Sequence, residues 1–133
     1  LDAAQQALDE ARRQVEHDAE GARAFWLQVD RDFHQMLVRA TGNQRLESFI
    51  AGLQGQIGVL QVYGTYLLEI EQMALGHHQT MLDAMRSGDG AAAARAMERH
   101  IHEVKARMLA EFEAREHRAA DIANPRRAEK PRP

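Results

Sequence analysis

Seven histidines and one carboxylate on an apolar face are the residues of this chain with chemistry to offer. In a helix, residues three, four and seven apart share a face. On that spacing His34 shares the core side with Phe33 and Leu37. His78 precedes Met81, Leu82 and Met85, and His100 lies between Met97 and Val104. Taken singly, each is an ordinary hydrogen-bonded core histidine. Asp30 changes that reading. It stands one turn before His34, among Trp26, Val29 and Phe33, where a carboxylate is costly unless paired or metal-bound. An acid and three inward imidazoles from three helices make a ligand set for a divalent ion: zinc first, with nickel, cobalt or manganese as alternatives. Asp32 points outward, as does His102, two residues from His100. His17 and His117 sit among charges near helix ends. His77 also has an apolar residue one turn on, Met81, so the pattern leaves its role open.

Other chemistries lack their residues. The chain has no cysteine, which excludes a disulfide framework, a thiolate zinc site and a cysteine nucleophile. It contains no His-Glu-x-x-His, and no Glu-x-x-His of the di-iron bundles. There is no Gly-x-Ser-x-Gly, and Gly88-Asp89-Gly90 is not followed by Gly-Lys-Ser/Thr.

The elements that must position these residues are helices. Alanine, leucine, glutamate, arginine and glutamine dominate, without β-branched runs. A first amphipathic helix is expected over 2–17, and a second from an N-cap at Asp18 to about Thr41. The stripe of the second helix is Phe25/Trp26, Val29, Phe33, Met36/Leu37 and Ala40. Gly42 ends it and Asn43 caps a third helix, from about Gln44 to Tyr63. The third stripe is Leu46, Phe49/Ile50, Leu53, Ile57 and Leu60. Gly52, Gly55 and Gly58 leave one flank of this helix bare, for a closely packed helix or for a ligand. A fourth helix is expected over Glu69–Arg86, with a break near Gly76. After the turn Ser87-Gly88-Asp89-Gly90, with Asp89 as cap, a fifth covers about Ala91–Ala120. Its stripe is Met97, His100/Ile101, Val104, Met108 and Phe112. The fold class is therefore all-α, an antiparallel bundle of about five to six helices with short connections.

With 133 residues, 44% hydrophobic and 28% charged, the chain suits one globular domain. No apolar run approaches the about 18 residues of a membrane span, and the polar start does not resemble a signal peptide. A cytoplasmic location is expected. The net charge is −3, yet the last residues hold Arg126, Arg127, Lys130 and Arg132 against Glu129. The expected division is a helical domain over 1–121 and a disordered, basic, proline-containing tail over 122–133. The acidic body is a poor footprint for nucleic acid.

Three segments carry a family resemblance. Asp30-Arg31-Asp32-Phe33-His34, with Leu37, Ala40 and Gly42-Asn43, resembles the D-x-x-F-H…L…A-x-G-N signature of the FCD domain. That is the C-terminal effector-binding domain of FadR-type members of the GntR family of transcriptional regulators. His78 through Asp89 resembles its H-x-x-(I/L)-L-x-A-(I/M)-x-x-G-D segment, and Ala94, Met97 and His100-Ile101 its A-x-x-M-x-x-H-(I/L) segment. The resemblance covers about residues 20–110. It implies a divalent metal on Asp30, His34, His78 and His100, and a small carboxylate effector held at that metal. It also implies a homodimer. The family usually has Glu where this chain has His77. The family's winged helix-turn-helix and first effector-domain helix are not matched, so DNA binding is expected only through a domain outside this chain. Gln56, Tyr63 and His77 are candidate effector contacts. The competing expectations are a metal-dependent, hydrolase-like enzyme, whose metal would activate water, and a structural helical dimerisation module.

Overall fold

Five helices make up the fold in the computed structural model: α1 (Asp2–Glu16), α2 (Ala22–Ala40), α3 (Gln44–Gly64), α4 (Leu68–Arg86) and α5 (Gly90–Ala123). The structure describes residues 1–17, 21–64 and 68–123, with side chains described except at 57, 59–64, 68, 69, 121 and 123. No strand occurs among the described residues. The all-α class expected from composition is therefore the one observed.

Two of the expected caps are in place. The Asn43 side chain accepts hydrogen bonds from the amides of Arg45 and Leu46 at 3.1 Å. The Asp89 side chain accepts one from Ala92 at 2.8 Å. Both follow a glycine-assisted stop: Gly42 at φ 64° and Gly88 at φ 74° take the left-handed backbone that ends α2 and α4. The start of α2 differs from expectation. The helix begins at Ala22, behind Gly21 at φ 80°, rather than at Asp18. A left-handed glycine cannot continue a helix, so Gly21 sets the boundary. Asp18 lies outside the described residues. The break expected near Gly76 is also not there: α4 is continuous. Buried Ala74, Leu75, Met81 and Leu82 on either side hold the helix through the glycine, against a propensity cost of about 1 kcal/mol.

α1 packs on α2 and α4, α4 on α5, and α3 on α2 and α5. The core joins Leu8, Ala11 and Val15 of α1 to Trp26, Val29 and Phe33 of α2 and to Leu75, Met81 and Leu82 of α4. Ala96 of α5 completes it. At the rim, Gln5 and Gln79 exchange amide hydrogen bonds at 2.7 and 2.9 Å, and Arg86 donates to Gln5 and Asp2.

Two stripes are less buried than their periodicity suggests. On α3, Phe49 is 64% and Leu46 37% exposed, and Ile57 and Leu60 lie outside the described side chains. On α5, Ile101 is 56% exposed. Periodicity tells which residues share a face, not whether that face has a partner. A Cβ placed at Gly52, Gly55 or Gly58 would meet nothing within 4 Å, so no described helix packs closely on that flank. α5 runs to Ala123, two residues past the expected end of the helical domain, and 124–133 lie outside the described residues.

Candidate metal centre

The turn between α4 and α5 sets the geometry. His78 and His100 each stand eleven residues from Asp89, one before it and one after. In an antiparallel helical hairpin, residues equidistant from the turn lie at the same level. Their rings lie 4.8 Å apart, centroid to centroid. α2 brings the third imidazole: His34 lies 5.1 Å from the His78 ring and 5.1 Å from the His100 ring. Each of the three offers a ligand nitrogen, and these atoms all lie within 4.8 Å of one another. The triad could hold a metal ion.

Asp30 stands at the same spot. Its Oδ1 is 3.7 Å from His34 Nε2 and 3.5 Å from His78 Nε2. Those separations are long for hydrogen bonds. For comparison, two atoms that share a zinc ion at about 2.1 Å stand about 3.4 Å apart in tetrahedral geometry. Burial is graded across the group. His78 is fully buried, Asp30 and His100 nearly so, and the His34 side chain is 31% exposed. The centre is thus closed on the α4 side and opens beside His34.

The donor chemistry fits a cation. Both ring nitrogens of His78 and Nδ1 of His100 are buried without a hydrogen-bond partner among the described residues. A buried polar atom left unsatisfied costs about 1–3 kcal/mol, so such a cluster is rarely kept as packing alone. Burial first, then the nearby imidazoles of His34, His100 and His77, pushes the His78 pKa down to about 2. Burial, then His34 and His77, pushes His100 down to about 3. Both rings are therefore neutral at physiological pH, with lone pairs available, as metal ligation requires.

The other candidates are spread out. His77 is next to the triad, with its ring 5.7 Å from that of His100, but its Nε2 pairs with Glu103 of α5 at 3.2 Å. Gln56 is exposed on α3, and the Tyr63 side chain lies outside the described residues. His17 and His102 are exposed, and the exposed His117 pairs through Nδ1 with the Glu113 carbonyl at 2.7 Å.

Glu103 and Glu71 were not singled out from sequence. Glu103 becomes a partner of His77 only through the α4–α5 register, which no local pattern encodes. Glu71 had a signal: it lies seven residues before His78, hence on the same face. It is buried, and desolvation raises its pKa against the lowering charge of Arg23.

Compared with known protein families, residues 1–103 match the FCD domain. No curated protein and no solved structure gives a significant match.

Proposed function

This chain belongs to the FCD domain family, the effector-binding domain of GntR-type transcriptional regulators, and from that premise we propose that it senses a small carboxylate metabolite at a divalent metal. The observation that carries the proposal is the convergence of three helices on one spot. His34 of α2, His78 of α4 and His100 of α5 present ligand atoms within 4.8 Å of one another, and buried nitrogens of His78 and His100 have no hydrogen-bond partner among the described residues. Asp30 is the proposed fourth ligand, supported by its 3.5 and 3.7 Å approaches to two of the imidazoles. Zinc suits this nitrogen-rich set best, with nickel, cobalt and manganese as alternatives. When bound, the ion would supply Lewis-acid attraction for an oxygen ligand.

The chain's own residues do the rest. His78 and His100 are kept neutral by burial, so their lone pairs face the centre without proton competition until the pH falls toward about 3. His34, the most exposed of the triad, marks the side from which an effector would enter. His77, Gln56 and Tyr63 are the proposed polar contacts to it, His77 being the one beside the triad. An effector that favours one spacing of α2, α4 and α5 would shift the population of bundle geometries, and so reposition a DNA-binding domain joined to this one. We assign the domain no catalytic role, in keeping with its regulatory family. The cytoplasm and a homodimer are the proposed setting.

Metal content of the purified protein tests the reading. About one divalent ion per chain is expected. His78→Ala should lose most of it, and His102→Ala should keep it. Equal retention in both variants would sink the assignment.

A further inference from the structure

A ligating histidine is ordinarily oriented by a hydrogen bond from its second ring nitrogen to a carboxylate, a backbone carbonyl or water. Among the described residues neither nitrogen of His78 makes such a bond: both are buried, and Asp30 Oδ1 stands 3.5 Å from Nε2. Its orientation has another source. Phe33 lies face to face with it, centroids 4.1 Å apart and planes 15° from parallel. Trp26 lies 5.6 Å away at 31°. All three side chains are buried, Phe33 at 3% and Trp26 at 2% exposure, so neither neighbour can swing aside without opening the core. Stacking holds a ring by its faces and leaves its edges free. The edges of His78 carry the nitrogens. His34 stands nearly perpendicular to the ring, at 83°, with its centroid 5.1 Å away.

We propose, on the premise that this centre binds metal, that Phe33 is a positioning residue which sets the plane of His78 by stacking, with Trp26 in support. Aromatic contact thereby couples metal affinity to the packing of the α2–α4 core. Trp26 and Phe33 lie seven residues apart on the same face of α2 as Asp30, so one helix supplies both a proposed ligand and the rings that aim another.

Substitutions that separate ring from bulk test this. Phe33→Leu keeps an apolar side chain but removes the ring face. Phe33→Tyr keeps the face and adds a buried hydroxyl. Leu8→Val is the control for core loosening, because Leu8 is buried in the same core but makes no ring contact with His78. Zinc and cobalt affinities would be measured on each chelator-treated protein, with apo stability read in parallel by denaturant. Phe33→Leu should weaken metal binding by about tenfold or more, the range for loss of an orienting partner. It should also alter the visible bands of the cobalt form. Phe33→Tyr should keep near wild-type affinity and bands despite lower stability, and Leu8→Val should lose stability without losing affinity. Unchanged affinity and bands in Phe33→Leu would overturn the stacking role while leaving the metal reading intact. Absence of metal binding by the wild-type protein would overturn both. A measurement on the wild type stands even if Phe33→Leu fails to fold. The His78 ring protons should resonate upfield in the apo and zinc forms, from the ring current of Phe33, and unshifted protons would overturn the stacking.

Discussion

The two buried imidazoles tie stability to pH in a direction that follows from their environment. In the unfolded chain His78 and His100 titrate near 6.5, whereas in the folded apo protein burial holds them at about 2 and about 3. Above about pH 6.5 both states are neutral at these positions and pH has no leverage through them. As the pH falls from about 6.5 toward 3, the unfolded state takes up protons that the folded state refuses, and stability is lost. Each such ring contributes a loss on the order of 1 kcal/mol per pH unit. Urea titrations of chelated protein at pH 7.5, 6 and 5 should show the decline. A flat profile would mean that these rings take up protons within the fold. The neighbouring His77–Glu103 contact behaves differently. Glu103 is half exposed, so Glu103→Gln should change stability by less than about 1 kcal/mol even though its partner His77 touches the triad.

At the scale of elements, much is legible in the sequence. Helical periodicity singled out Asp30, His34, His78 and His100 while leaving His77 open, because a polar residue on an apolar stripe is conspicuous. Asn43 and Asp89 were legible because a capping side chain acts on amides two or three residues away. What local pattern cannot carry is pairing across helices, so the Glu103 partner of His77 and the exposure of Phe49 and Ile101 came only with the fold. The glycines of α3 show the same limit. Their spacing suggested a bare flank without saying what meets it, and the structure leaves it open. That openness fixes the sign of a substitution. Gly55 lies inside a helix, at no positive φ, and an added Cβ meets nothing within 4 Å. Gly55→Ala should therefore stabilise the protein by roughly 0.5–1 kcal/mol. Destabilisation on thermal or urea unfolding would reveal a partner on that flank in solution. Asp89→Ala, which removes the cap of α5, should cost about 1 kcal/mol.

In the whole molecule, the proposed metal lies where three helices meet, so its binding is expected to stabilise the fold as a unit. Asp30 and His34 belong to α2, His78 to α4 and His100 to α5, and unfolding scatters them. A ligand that binds only the folded form at about 100 times its dissociation constant adds roughly 2.7 kcal/mol. Chelation should therefore lower the melting temperature, and readdition of zinc should restore it. The effector adds a second, dependent step. A hard oxygen chelator is expected to gain most of its affinity from the ion, so its stabilisation should appear only on metallated protein. Thermal shifts with citrate, lactate, gluconate and malate, measured with metal and after chelation, distinguish this from a purely organic pocket. A shift from one of these acids that persists undiminished after complete metal removal would refute the ion as anchor. Dependence on zinc for the acid, together with loss of both shifts in His78→Ala and their retention in His102→Ala, would tie sensing to this one junction of α2, α4 and α5.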